Sequence, residues 1–312
     1  MTALELSVTE LADGVTRITL PLPTGPRHVH CYVADGTLFD TGLGLGEPAW
    51  GEFGIERIAI THFHPDHVGG AEAAAAATGA PVYQGALDYA QCERVWGSHD
   101  WPDRIAAWFR THGVPEPITA ELIEQGHAFA PFIRFARDPE LLYEGSELSA
   151  ADNGVWRVVE LPGHADGHLG FFRGDGVLVG GDHLLARITP AVGLYPESRP
   201  DPLGDYLNSL ERTIELTPRL VYPGHGEPIA AAAARARELI EHHRERLAQV
   251  EHALGAEPRS GFEVSRAVFG EELGPAQRRF AVAETLSHLE RLVVEGRGAR
   301  VGAGRSVSYT GP

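Results

Sequence analysis

Lysine is missing from this 312-residue chain. All 26 basic residues are arginine, set against 43 Asp and Glu, which leaves a formal net charge of −17. An acidic body of that kind gives little pull toward nucleic acid or an anionic membrane surface. Cysteine is scarce as well: Cys31 and Cys92 could form one disulfide at most, which excludes a disulfide scaffold. Neither has partners at zinc-finger spacing, so reduced thiols in a cytoplasmic protein are expected. No run of 18 or more apolar residues occurs, which excludes a membrane-spanning helix. The first ten residues carry Glu5 and Glu10 and lack a basic region followed by an apolar core, so no signal peptide is expected. What remains is ordinary for a globular protein: 43% hydrophobic and 22% charged residues, with length for one large domain or one domain plus a small appendage.

The chain changes character along its length. Residues 5–60 alternate as strands do, with Val15–Leu20 and His28–Ala34 as the clearest runs and a turn at Asp35-Gly36. Residues 70–150 read as mainly helical. Within them, 96–147 reads as a helical insertion between two motif-bearing regions, poised either to overhang a site or to serve as scaffold. Strands return at Val155–Leu161, Leu169–Phe172, Val177–Val179 and Leu220–Tyr222. A helix is expected over Pro202–Glu215, with Asp201 as N-cap and Pro202 in the first turn. Apolar positions at helical spacing predict a long helix from Ile229 to about Leu254. Beyond Gly255, two helices (Ser260–Phe269 and Pro275–Val294) and a hairpin at Val301–Thr310 give the outline of a winged helix. Residues 258–312 carry eight Arg and six Glu, a weakly basic balance.

The densest chemistry lies at Thr61-His62-Phe63-His64-Pro65-Asp66-His67. Four metal-competent side chains fall within six residues, directly after the apolar run Ile58-Ala59-Ile60. That run reads as a buried strand, and a strand delivers the following loop rigidly. Four further candidates share that setting, each at the end of an apolar run: Asp40 in Asp40-Thr41-Gly42, His164 in Pro162-Gly163-His164, Asp182 in Gly180-Gly181-Asp182 and His225 in Pro223-Gly224-His225. Glycine beside each lets a sharp turn pass close to a bound ion. Any one of these histidines alone is more often a surface or hydrogen-bonded residue. As an ordered set they point to one metal centre, and imidazole with carboxylate suits Zn²⁺, Mn²⁺ or Fe²⁺. His168 and His183 fall just beyond such positions, where a structural role is expected. Asp166 is expected to cap a turn, and His242 and His243 are given no chemistry.

The ordered motifs resemble the metallo-β-lactamase superfamily over roughly residues 10–230. The resemblance implies an α/β fold, a four-layer αββα sandwich. It implies two metal sites, one from His62, His64 and His164, the other from Asp66, His67 and His225, with Asp182 bridging them and Asp40 orienting a ligand histidine. Two divalent ions are implied, Zn²⁺ foremost and Mn²⁺ or Fe²⁺ as alternatives. A hydroxide shared between them would attack the substrate, and Asp66 would orient it and pass a proton to the leaving group. A redox di-iron site is disfavoured, because that branch replaces a motif histidine by carboxylate and His64 is intact.

The layout also resembles β-lactamase-like and hydroxyacylglutathione-hydrolase-like proteins, some of them endoribonucleases, that carry a C-terminal winged-helix-like module. The expected division is 1–254 for the hydrolase domain and 255–312 for that module. The expected substrate is a small thioester, ester or lactone. Cleavage of single-stranded nucleic acid is the alternative, disfavoured by the acidic body. Surface helices are compatible with a homodimer, and no membrane partner is expected.

Overall fold

The computed structural model describes residues 6–23, 25–45, 48–150, 154–302 and 306–311. Two β-sheets face each other. The first has seven strands in sequential order: β1 (Ser7–Glu10), β2 (Thr16–Pro21), β3 (His28–Ala34), β4 (Thr37–Phe39), β5 (Arg57–Ile60), β6 (Val82–Gly85) and β7 (Glu140–Leu142). It is antiparallel through β4 and parallel from β4 to β7. The second runs β12-β11-β10-β9-β8. Its strands are β8 (Glu147–Ala150), β9 (Gly154–Glu160), β10 (Leu169–Arg173), β11 (Val177–Gly181) and β12 (Leu220–Pro223), with β11 and β12 parallel.

Period-two alternation builds the layers. On β5, Ala59 points between the sheets while Ile58 and Ile60 point outward; on β3, Tyr32 points inward and Cys31 and Val33 outward. On β11, Val177 and Val179 face inward and Leu178 outward, and on β12 Tyr222 faces inward and Val221 outward. A strand buried on both faces is mostly apolar at successive positions, as Ile58–Ile60, Val177–Val179 and Val221–Tyr222 are. The inter-sheet layer is aromatic, with Phe39 at 4.9 Å from Trp156 and 5.1 Å from Phe171 between ring centroids.

Helices cover both outer faces, as the expected αββα sandwich requires. The first sheet packs under α2 (Ala71–Thr78) and α3 (Ala86–Val95), reached through the single turn α1 (Pro65–Val68). The second packs under α6 (Pro202–Leu216) and α7 (Ala232–Leu254), with α4 (Trp101–Thr111) and α5 (Glu116–Phe129) joining the same apolar cluster. As expected, Asp201 caps α6, accepting from Gly204 N at 2.9 Å.

The 96–147 segment departs from the expectation of a helical insertion. Its helical part ends near Phe132 with a short 3-10 turn, and the remainder supplies β7 and the start of β8, one edge strand for each sheet. Apolar residues in 140–150 are too few to show alternation, so these edge strands leave no pattern in the sequence. α7 starts at Ala232, three residues later than the sequence suggests, because Ile229 is tied by its backbone to Val221.

After α7 come β13 (Arg259–Ser260), α8 (Gly261–Phe269), α9 (Pro275–Val294), β14 (Ala299–Val301) and β15 (Ser308–Thr310). The two helices match the sequence reading, and Ser260 with Glu263 forms a capping box at the start of α8. The hairpin gains β13 as a third strand, and its tip at 303–305 lies outside the described residues. Val264, Val282, Leu286, Leu289 and Leu292 bury into the same apolar cluster as α6 and α7. No helix among the described residues is long and apolar enough to cross a membrane.

Candidate metal centre

All the predicted site residues converge at one end of the sandwich. Asp40 follows β4, the His62–His67 loop follows β5, and Asp182 and His225 follow β11 and β12; His164 sits on the loop between β9 and β10. The parallel pairs β4–β5 and β11–β12 put four of these loops at the same end of their sheets. β3 runs antiparallel to β4, so its first residue, His28, arrives there too.

Ligand atoms group in three sets, each within 4.8 Å: His62, His64 and His164; His62, His67 and Asp182; Asp66, His67 and His225. His64 Nδ1 lies 2.8 Å from His164 Nε2. Asp182 Oδ2 lies 3.2 Å from His225 Nε2 and 3.7 Å from His164 Nε2, and its Oδ1 lies 3.5 Å from His67 Nε2. Asp182 therefore reaches both ends of the cluster. Asp66 Oδ2 is 3.3 Å from His225 Nε2.

The far nitrogens of the imidazoles are already engaged. His67 Nδ1 donates to Asp40 Oδ2 at 2.7 Å, His164 Nδ1 to Ala191 O at 2.7 Å and His225 Nδ1 to His28 O at 2.7 Å. Each such bond holds the Nδ1 proton and turns Nε2 inward as the nitrogen that can bind an ion. Asp40 also accepts from Thr61 N at 2.7 Å and Thr61 Oγ1 at 2.8 Å, which anchors the start of the motif loop. It adopts φ +60°, a left-handed conformation that aspartate tolerates better than bulkier residues.

Three atoms aimed into the cluster are buried with no well-formed hydrogen bond among the described residues: His62 Nε2, and His67 Nε2 and Asp182 Oδ1, which face each other at 3.5 Å. A buried polar atom left unpaired costs about 1–3 kcal/mol. Three of them pointing at one space, on nitrogen and carboxylate donors, fit divalent cations and would be difficult to explain as packing.

Charge divides the cluster. Burial pushes His62 well below the usual imidazole range, and neighbouring imidazoles push the same way. Burial does the same to His64, with His164 adding to it. Burial also opposes charge on His67, yet Asp182, Asp40 and Asp66 together hold it well above that range; Asp182 and Asp66 likewise overcome burial to raise His225 to about 10. In return, burial is outweighed at Asp66, which His67 and His225 bring down to about 2. Without cations, then, protons on His67 and His225 partly offset the carboxylates of Asp40, Asp66 and Asp182, and a bound cation would take their place.

Other residues complete the surroundings of the cluster. His168 is fully buried, stacks on His62 with centroids 4.9 Å apart, and accepts from Asp182 N at 3.2 Å. It holds ligand candidates in place, in line with the structural role expected of it. His183 bonds Thr213 Oγ1 at 2.7 Å, away from the cluster. Asp166 was expected to cap its own turn; instead its carboxylate accepts from Gln91 Nε2 at 3.1 Å and Arg199 N at 2.9 Å, tying the His164 loop to α3 and to the 195–200 loop. His28 was missed because its part is played by a backbone carbonyl, which no side-chain pattern reveals. His30 was signalled by its period-two spacing from His28, which sets both on the inter-sheet face of β3 beside Tyr32.

A cluster of imidazoles and carboxylates, pre-aimed from strand-end loops and short of partners, is the site of a metal-using hydrolase. Comparison with known proteins places that class. Residues 24–225 match the metallo-beta-lactamase superfamily, and residues 247–308 match the metallo-beta-lactamase-like C-terminal domain. The chain belongs to the metallo-beta-lactamase superfamily. It is 28% identical to the "Probable metallo-hydrolase YqjP" of Bacillus subtilis (strain 168), over 91% of this chain and 93% of that one. It is 26% identical to the beta-lactamase-like protein 2 homolog of Drosophila melanogaster, over 92% and 82%. Among solved structures, a metallo-beta-lactamase family protein from Thermus thermophilus superposes with a TM-score of 0.81 at 33% identity, covering 96% of this chain and 99% of that one. A beta-lactamase domain protein from Burkholderia ambifaria gives 0.85 at 27% identity, covering 98% and 94%.

Proposed function

We propose that this chain is a dinuclear metal-dependent hydrolase acting on a small thioester, ester or lactone. The observation that carries the reading is the trio of buried, unpartnered donor atoms on His62, His67 and Asp182. His62, His64 and His164 would hold one divalent ion, Asp66, His67 and His225 the other, with Asp182 between them. When bound, such a pair supplies a water ionised near neutral pH, its pKa lowered from 15.7 to about 7, and a counter-charge for the developing oxyanion. Zn²⁺ suits the donor set best, with Mn²⁺ and Fe²⁺ compatible.

The remaining work falls to side chains. Asp40 fixes the His67 tautomer, and His28 O fixes that of His225. Asp66 is partly open, its side chain 24% exposed, and can meet substrate. As a carboxylate beside His225, it is placed to orient an attacking water and to pass a proton toward the leaving group.

The nucleic-acid alternative has weaker support. Arginines of 255–312 are largely spent inside the protein: Arg278 on Ser265 and Gly270 O, Arg291 on Asp201, Arg297 on Glu251, Arg300 on Glu290. α9, where a recognition helix would lie, buries most of its side chains. We therefore assign 1–254 to the hydrolase and 255–312, winged-helix-like in outline, to a packing module.

One preparation assayed against a thioester, a lactone and single-stranded RNA tests the reading. Thioester or lactone cleavage insensitive to added salt is expected. RNA cleavage that falls steeply with salt, without turnover of the small substrates, would reject it.

A further inference from the structure

Beside the motif loop lies a cavity of about 370 Å³ that the hydrolytic reading does not use. Its wall includes Trp96, Ile133, Phe135, Arg134, Arg137 and Glu72. Trp96 belongs to both places. Its indole N–H donates to Phe63 O at 2.8 Å, and Phe63 stands between His62 and His64. Trp96 thus ties the cavity wall to the backbone of the motif loop. The far wall is fixed to the motif as well: Arg134 N donates to Gly69 O at 2.9 Å, and Glu72 N to Arg134 O at 3.0 Å.

The chemistry of this wall is unusual for so acidic a protein. Arg137 lies over the Phe135 ring, 4.2 Å from its centroid, which holds the guanidinium flat and leaves its donors free. Arg137 joins no ion pair among the described residues. Arg134 has a single carboxylate near it, Glu72 at 3.7 Å, and both side chains are more than half exposed. Such a pair is worth at most about 1 kcal/mol and yields readily to a better anion. A lining that combines Trp96 with two guanidinium groups suits a ligand that has an apolar stem and an anionic end. The size falls within the range of about 300–1,000 Å³ usual for small-molecule sites.

We propose that this cavity is a specificity subsite: it takes the anionic end, carboxylate or phosphate, of a substrate whose ester or thioester lies at the metal centre. Arg134 and Arg137 bind the charge, Trp96 flanks the stem, and Glu72 weakens the binding. The proposal rests on the hydrolase reading for the other half of the substrate, but its binding test does not.

The probe is naphthalene-1-sulfonate, an aromatic anion that coordinates metals poorly, titrated into the purified full-length protein by calorimetry. Saturable binding is expected, weakened about tenfold or more in Arg134→Gln/Arg137→Gln, where two charge-assisted hydrogen-bonding groups are lost. Glu72→Gln should shift affinity the other way, tightening it about twofold. All three positions are exposed, and unchanged melting temperatures verify the fold. No saturable binding to the parent protein, or equal affinity in parent and double variant, overturns the subsite. In parallel, thioesters with an alkyl tail ending in hydroxyl, carboxylate or phosphate are compared. The double variant should raise KM for the charged tails, leave kcat nearly unchanged, and leave the hydroxyl tail unaffected; the two charged tails distinguish carboxylate from phosphate. Probe binding that depends on the arginines, without turnover of any thioester, would sink the hydrolase reading and leave the subsite standing. Turnover without arginine dependence would do the reverse.

Discussion

Replacing Asp40 by Asn isolates the hydrogen bond that orients His67. The change keeps the volume and suits the left-handed backbone at φ +60°, since Asn adopts that region readily. What it alters is donor and acceptor balance. The carboxylate accepts three hydrogen bonds, from Thr61 N, Thr61 Oγ1 and His67 Nδ1, the last two on the same oxygen. In the amide one oxygen must become NH₂. With the amide oxygen kept on Thr61 N, the NH₂ faces the Thr61 hydroxyl and the His67 ring. The hydroxyl can rotate, but the imidazole must shift its proton to Nε2, the atom needed for the metal. Loss of such an orienting partner lowers metal affinity about 10–100-fold, equivalent to about 1.4–2.7 kcal/mol. The assay is competition for Zn²⁺ against a chelator of known affinity, with melting of the metal-free proteins as a control for fold. Unchanged affinity in a folded Asp40→Asn protein would refute the claim that Asp40 sets the His67 tautomer.

Other outcomes follow from particular residues. His62→Ala or Asp182→Ala should abolish turnover while circular dichroism remains native, because both side chains point into the cluster and away from the apolar layers. A Cβ on Gly224 would lie 2.4 Å from Asp182 Oδ1 and 2.5 Å from His67 Cε1, so Gly224→Ala should displace both and weaken metal binding. Gly174→Ala, with nothing within 4 Å, should be silent in the same assay. Acid should expose His112, which burial holds down to about 4. Its neutral form is kept in the fold while the unfolded chain protonates near pH 6.5. Its contribution is therefore complete above pH 6.5 and is lost as pH falls toward 4, about 3 kcal/mol in all. Urea unfolding of His112→Phe should show that much less loss between pH 7 and 4, and equal losses would count against it.

The sequence exposed the centre because metal ligands demand specific side chains at strand ends, and five glycine- or proline-bearing loops repeat that arrangement. The layering came from the family resemblance; the sequence itself showed only that short apolar runs such as Ile58–Ile60 and Val177–Val179 are buried strands. What escaped the sequence acts through the backbone or through context. The carbonyls of His28 and Ala191 leave no trace in residue type. β7 and β8 are short edge strands, shaped by the sheets they join more than by their own pattern. Asp166 gains its role from Gln91 and Arg199, 75 and 33 residues away.

Metal content is the most direct test of the central claim. Protein purified without chelator and measured by inductively coupled plasma mass spectrometry should hold close to two divalent transition-metal ions per chain, lose hydrolysis on chelation and regain it on adding them back. Protein that carries none, and hydrolyses at full rate in excess chelator, would contradict the account.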